Sequence, residues 1–242
     1  MTALLPLKLN RALNLPALGA AYARSGRVAI SDFLSSESAA SLTGILRARA
    51  DWRQVIHSQG KALELTREVR AQMAREQQDA LDGAIYDAAR YGFQYRYETI
   101  RVPDSSDVRA ASDDPLCAFA QWMMSDPVLA VLRQVTGADD ICFADAQATA
   151  YSPGDFLTGH DDAVAGKGRR AAYVLGLTER WRPEWGGLLM FHDDEGMMEA
   201  WPPQPNSLNI FRVPQLHSVS EVTRAAAFRR YSITGWLRNR QP

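Results

Sequence analysis

The sequence predicts an α+β protein in which a double-stranded β-helix, or jelly roll, is covered on one sheet by supporting N-terminal helices. Three observations carry this. After Gly137, short apolar runs alternate with turn residues about every 8–12 positions, the texture of a sandwich or barrel. Before Gly137, apolar positions recur mainly at helical spacing. The chain has 242 residues, 46% hydrophobic and 23% charged, which is ample for one buried core.

The elements follow in order. Residues 13–24 form a short helix that ends at Ser25-Gly26, and Val28-Ala29-Ile30 is a strand. Ser35-Ser36-Glu37 supplies N-cap chemistry for a helix whose Leu42, Ile45 and Leu46 share a face. Trp52 to Ile56 reads as strand and Gln59-Gly60 as its turn. From Leu63, the positions Leu65, Val69, Met73, Leu81, Ile85 and Ala88 mark one long, proline-free amphipathic helix with a solvated charged face. Phe93, Tyr95 and Tyr97 alternate, as on a strand that turns three aromatics to one side. Two helices follow around 115–124 and 127–136, the second closed by Gly137.

Eight strands then fall near 141–151, 156–160, 171–178, 187–192, 196–201, 207–212, 217–222 and 228–237. Their turns are Pro153-Gly154-Asp155, Gly166-Lys167-Gly168, Asp193-Asp194-Glu195-Gly196 and Pro202-Pro203 through Asn206. Eight short strands make a jelly roll. No shift in composition marks a boundary, so residues 1–242 read as one domain: 1–140 is mainly helical support and 141–242 the core.

The net charge of −1 gives no reason to expect attraction to nucleic acid or membrane. No apolar run approaches the roughly 20 residues of a membrane span. The opening Met1 to Leu7 is apolar but short, and Lys8, Asn10 and Arg11 interrupt it, unlike a signal peptide. Only Cys117 and Cys142 are present, too few for a disulfide framework, which favours the cytoplasm.

The chemistry centres on Tyr151 to Asp162, whose core is His160-x-Asp162. On an extended backbone, residues i and i+2 face one way and reach one ion. A histidine with a carboxylate suits Fe(II), Zn(II) or Mn(II) rather than Ca(II). A second histidine stands at His217, and Arg230 opens Arg-Tyr-Ser-Ile-Thr-Gly-Trp. Two histidines and one carboxylate leave half an octahedron open. The chain has four histidines. His192 ends a strand just before an acidic turn and reads as structural, and His57 as a polar strand residue. Asp161 faces away from the metal, and Arg229, opposite in facing to Arg230, reads as a solvated surface charge.

Tyr151-x-x-Gly154-Asp155-x-Leu157-x-x-His160-x-Asp162, His217-Ser218-Val219 and Arg230-x-Ser232-Ile233-x-Gly235-Trp236 together resemble the Fe(II)/2-oxoglutarate-dependent dioxygenases. The likeness is strongest over 141–236. Within them it is similar to the prolyl-4-hydroxylase-type branch, including the fungal ribosomal prolyl hydroxylases and their single-domain bacterial relatives. Gly186-Gly187-Leu188 resembles the Gly-Gly before the fourth core strand of those relatives. Collagen-type enzymes carry lysine where this chain offers Arg230, and the second barrel of the fungal relatives has no room here.

The resemblance implies that His160, Asp162 and His217 hold Fe(II). It implies 2-oxoglutarate and O2 as co-substrates, with ascorbate as a reductant. Arg230 would pair with the distal carboxylate of 2-oxoglutarate, for which a planar, permanently charged fork is suited. Tyr151 would assist it, with Tyr173 and Ser232 as further pocket candidates. Tyr173 reads first as a buried barrel aromatic, which is compatible with a place in that pocket. The implied activity is C–H hydroxylation coupled to conversion of 2-oxoglutarate to succinate, on a prolyl residue of a protein or peptide. A free amino acid or small metabolite is the alternative substrate. Outside the class stand a Zn(II) hydrolase, in which Arg230 and Tyr151 have no part, and a non-catalytic jelly-roll binding module. The loop Ala163–Arg170, with Gly166-Lys167-Gly168, reads as a lid or as a plain hairpin connection. Trp181, Trp185, Arg180 and Arg182 sit in a loop expected to border the site and have no assigned role.

Overall fold

The computed structural model describes residues 6–58, 60–193, 196 and 198–241. Met1 to Leu5 of the opening stretch, Gln59 of the first hairpin turn and Asp194-Glu195 of the acidic turn lie outside the described residues. The first half of the chain supplies α1 (Leu15–Ser25), β1 (Arg27–Ile30), α2 (Ser36–Ala48), β2 (Arg53–Ser58), β3 (Lys61–Thr66), α3 (Arg67–Gln72), α4 (Arg75–Ala89), β4 (Tyr95–Arg101), α5 (Ser106–Ala110), α6 (Pro115–Met123) and α7 (Asp126–Thr136). The second half supplies β5 (Phe143–Ala144), β6 (Gln147–Tyr151), β7 (Phe156–His160), β8 (Arg169–Gly176), β9 (Leu189–His192), β10 (Met198–Trp201), β11 (Ser207–Arg212), β12 (His217–Val219) and β13 (Arg230–Arg238).

Local signals explain most boundaries. The Ser35 side chain accepts the Ser38 N–H at the start of α2, and Gly26 and Gly137 take left-handed conformations that close α1 and α7. The strands form one curled antiparallel sheet in the order β1-β11-β8-β13-β6-β4-β7-β12-β9-β10, with β2, β3 and β5 off that path. Its two ends meet: Arg27 Nε on β1 lies 2.6 Å from Glu199 Oε2 on β10. The result is the expected jelly roll.

Alternation sorts the side chains into two cores. Ala171, Tyr173 and Leu175 on β8 and Ile233 and Leu237 on β13 pack beneath Leu42, Phe119, Met123 and Leu132 of α2, α6 and α7. The opposite faces, with Ala172, Tyr151, Leu189, Phe191 and Phe211, close around the barrel interior. The helices therefore do cover one sheet.

Two expectations are corrected. No single helix runs from Leu63 to Ala88. Leu63 and Leu65 sit on β3, paired with Ile56 and Gln54, and extended Met73 and Ala74 separate α3 from α4. The i, i+4 stripe merged two elements, because Leu63 and Leu65 also satisfy strand alternation; Leu63 and Val69 are in fact exposed. Moreover, the first 140 residues are more than helical cover, since β4 lies between β6 and β7 at the centre of the sheet. Among the described residues no single helix is long and apolar enough to cross a membrane.

Candidate active site

β7 and β12 pair antiparallel with His160 directly opposite His217, which brings the two rings to 4.1 Å between centroids. Each Nδ1 is bonded to a backbone carbonyl two residues earlier: His160 to Thr158 at 3.0 Å and His217 to Gln215 at 2.7 Å. An Nδ1–H that donates to a carbonyl fixes the tautomer and leaves Nε2 with its lone pair exposed, the arrangement of a metal-ligating histidine. Burial, then the charge of His160, hold the His217 imidazole down to about 4, so it is neutral at physiological pH.

Asp162 completes the set. Its Oδ1 lies 3.5 Å from His160 Nε2 and its Oδ2 lies 3.6 Å from His217 Nε2. The three ligand atoms fall within 4.8 Å of one another, a group that can hold one metal ion. The reason differs from the sequence argument. Leu157 and His160, an odd number of residues apart, both line the cavity, and the β7–β12 register shifts between them. Asp162 lies beyond the strand with φ +62°, a left-handed conformation that aspartate tolerates better than most residues. That turn, rather than i/i+2 alternation, brings its carboxylate back to the imidazoles. The Asp161 carboxylate turns away and accepts the Ala163 N–H.

The triad borders a cavity of about 260 Å³. Arg230 lies inside it, and Tyr151 stands opposite Arg230 in the β6–β13 ladder. The Arg230 side chain is 4% exposed, its guanidinium carbon sits 5.0 Å from the Tyr151 ring centroid, and its Nε has no hydrogen-bond partner. Burial holds its pKa below the ordinary arginine range, with only Tyr151 pulling the other way. Tyr151 stacks on Tyr97 at 5.0 Å, and Tyr95 and Phe93 extend this aromatic row towards the mouth, where Phe93 meets His160 at 5.5 Å. Burial pushes the Tyr97 hydroxyl up to about 12 and that of Tyr151 well above its ordinary value, so both are neutral donors.

Tyr173 and Ser232 are placed differently. The Tyr173 ring packs in the helix-side core and its hydroxyl donates to the Asp145 carbonyl at 2.6 Å, yet the residue also borders the cavity, so the barrel-aromatic and pocket readings hold together. Ser232 shares the Arg230 face, but its Oγ is engaged with Thr149 Oγ1 at 2.8 Å, and Thr149 is the one that lines the cavity. His192 bonds Ser218 Oγ at 2.8 Å, a structural role. Arg229 points away from Arg230 as expected, yet it is not solvated: it pairs with Glu98, bonds Ser152 Oγ and lies between the Trp52 and Tyr231 rings.

Sequence reasoning missed Thr149 and Trp236 as cavity walls. Alternation from Tyr151 and Arg230 carried a signal for Thr149 and Trp236. Gly186 and Gly187 have a reason beyond turning. Both have positive φ, and a Cβ on Gly187 would sit 3.1 Å from Arg230 Cδ, while one on Gly186 would meet the Glu221 carbonyl at 1.9 Å. The 163–170 loop is tethered: Arg238 Nε donates to the Lys167 carbonyl, Arg240 Nη1 to that of Gly166, and the Asn239 N–H to that of Gly168. Trp181 Nε1 donates to the Gly186 carbonyl, which ties the other bordering loop.

Between the strands of Tyr151 and His160, buried Asp155 accepts the Ser152 N–H at 2.7 Å and lies 3.2 Å from Arg96 Nε. Burial pushes its carboxyl up to about 7 against the pull of Ser152, Arg96 and Arg70, while Asp82 adds to the rise. Such a group contributes stability in full below its unfolded value and loses it as pH rises through about 7. The stability of the wild type relative to Asp155→Asn is therefore expected to fall by on the order of 4 kcal/mol between pH 4 and pH 8. Denaturant melts of both proteins across that range check this; parallel curves would refute it.

Comparison with known proteins places this geometry. Residues 146–238 match the family model of the 2OG-Fe(II) oxygenase superfamily. The chain is 30% identical over 171 residues to mouse Prolyl 3-hydroxylase OGFOD1, covering 67% of this chain and 31% of that protein. It thus spans about a third of the length of that relative. In structure it resembles a Pseudomonas putida prolyl-4-hydroxylase (TM-score 0.57, 18% identity, 93% of this chain and 99% of the other). It also resembles a prolyl hydroxylase from Trichoplax adhaerens in complex with a hypoxia inducible factor peptide fragment (TM-score 0.59, 17% identity, 93% and 89%). With its jelly roll and its His-Asp-His group, the chain carries over residues 146–238 a segment that matches the 2OG-Fe(II) oxygenase superfamily, and it is similar to prolyl hydroxylases.

Proposed function

We propose that this protein is an Fe(II)- and 2-oxoglutarate-dependent hydroxylase acting on a prolyl residue of a protein or peptide. The single observation that carries the co-substrate reading is Arg230: a guanidinium buried in the cavity that the triad borders, with no carboxylate partner among the described residues and an orphaned Nε. An uncompensated buried cation is costly, so such a site calls for an anionic ligand. A dicarboxylate fits, with one end on Arg230 and the other reaching the metal side of the same cavity.

The residues present also fit the metal. Two imidazole Nε2 atoms, each with its Nδ1 bonded to a backbone carbonyl, and one carboxylate form a set suited to non-haem Fe(II). When bound, iron with 2-oxoglutarate and O2 supplies the oxidising power for C–H hydroxylation; the chain supplies everything else. Arg230 and Tyr151 hold and orient the co-substrate, the first by charge and the second as a neutral hydroxyl donor. The row Tyr97, Tyr95, Phe93 excludes water along one wall and presents an apolar surface at the mouth, where a pyrrolidine ring packs. No side chain is needed as a general base, which suits a cavity whose only carboxylate is Asp162 among the described lining residues. The prolyl substrate is supported by the likeness to Prolyl 3-hydroxylase OGFOD1. Ascorbate would serve to maintain the iron as Fe(II), and the low cysteine count agrees with a cytoplasmic setting.

The test is anaerobic titration of Fe(II) into protein with 2-oxoglutarate, followed by aerobic assay of succinate with proline-containing peptides and with free proline. A visible charge-transfer band, and succinate formed together with a peptide that gains one oxygen, is the expected result. A band with turnover only on free amino acids would move the substrate to a small metabolite. Tight Zn(II) binding with no band would overturn the oxygenase reading.

A further inference from the structure

Asp162 is the last residue before an exposed loop: Ala163 to Lys167 face solvent, and Val164 is 48% exposed. It lies outside the ladder of β7 and has a positive φ. Its carboxylate must nevertheless stay between two imidazoles. What holds it comes from across the loop. Arg169, the first residue of β8, donates from Nη1 to the Asp162 carbonyl at 2.8 Å, and the same nitrogen lies 4.0 Å from Oδ1. Its guanidinium carbon sits 3.5 Å from the centroid of the Trp236 ring, so the planar group lies against the indole. The side chain is only 14% exposed.

We propose that Arg169, laid against Trp236, is the positioning residue that keeps Asp162 in its left-handed conformation and thereby sets metal affinity at the triad. The inference rests on reading His160, Asp162 and His217 as a metal site. A flat cation on an aromatic face is restrained in two directions and keeps its edge donors aimed. The hydrogen bond to the Asp162 carbonyl then fixes the peptide plane from which the carboxylate projects. Lysine would retain the charge but neither the plane nor the fork. The next residue provides a contrast: Arg170 points outward and pairs with exposed Asp140.

Mn(II) binding, measured by calorimetry without co-substrate or O2, tests this on the wild type, Arg169→Met, Arg169→Lys, Arg169→Ala and Arg170→Met. Supporting groups around a metal are typically worth about 10–100-fold in affinity. Arg169→Met is therefore expected to weaken Mn(II) by about 10-fold or more and Arg169→Lys by less, with Arg170→Met unchanged. Guanidinium ion at low millimolar concentration should restore part of the affinity of Arg169→Ala, where sodium chloride does not. A purely structural role for Arg169 would not produce that rescue. Arg169→Met affinity within about twofold of the wild type, or no guanidinium rescue of Arg169→Ala, would overturn the proposal while leaving the metal site standing. If the wild type itself fails to bind Mn(II), the triad reading falls and takes this one with it. Should Arg169→Met fail to fold, the Lys variant decides: wild-type affinity there refutes the requirement for a planar fork.

Discussion

Arg230→Met is expected to abolish 2-oxoglutarate binding while making the free protein more stable. Methionine approximates the length of the arginine stem without its charge. In the free protein the guanidinium is buried with an orphaned Nε, and Asp162 is the one acidic residue among the described residues lining its cavity. Removing an unsatisfied buried donor relieves about 1–3 kcal/mol. For a chain of this size, each kcal/mol moves Tm by about 2–4 °C. The sign reverses with the co-substrate present. A ligand at 100 times its Kd stabilises the wild type by about 2.7 kcal/mol, and a variant that no longer binds gains nothing. Thermal melts with and without 2-oxoglutarate, in the presence of Mn(II), read both effects together. A variant that still shifts with 2-oxoglutarate would remove Arg230 from its assigned role.

His217→Ala is expected to remove metal binding, with an affinity loss beyond the about 10–100-fold that follows from losing a supporting group. The side chain is 4% exposed and packs between the rings of His160 at 4.1 Å and Phe211 at 4.5 Å. Truncation therefore also opens space in the barrel, and a stability loss of about 1–3 kcal/mol accompanies it. His217→Gln separates the two consequences, since it fills most of the space but offers no imidazole nitrogen. Calorimetry with Mn(II) and a melt of the metal-free protein measure each one. Near wild-type Mn(II) affinity in both variants would exclude His217 as a ligand.

Much of the site was legible because its residues sit on short strands whose alternation is written in the sequence. Arg230 and Tyr151 face each other across the β6–β13 ladder, as two inward positions of neighbouring strands should. Ser232 had the correct face, but alternation says nothing about which hydroxyl already has a partner; Thr149 had taken it. Tyr173 packs on the helix-side face of β8 and still borders the cavity, because only the observed register shows which parity of β8 meets the helices. The row of Tyr97, Tyr95 and Phe93 was recognised as one side of a strand. Its place against Tyr151 and His160 depended on β4 entering the sheet between β6 and β7, a pairing of strands far apart in sequence. Arg229 was misjudged for a similar reason, since Trp52 and Glu98 reach it from distant segments.

By itself, the sequence predicted the jelly roll, because periodicity is a local property of the chain, while the resemblance of its motif runs singled out the two histidines, the carboxylate and Arg230. Only the tertiary structure decided how the ligands meet. The β7–β12 register shift, the left-handed turn at Asp162 and the Arg169–Trp236 stack are each set by packing between strands separated in sequence. A one-residue change of register reverses the facing of every side chain, and no single strand's sequence specifies its partner's register.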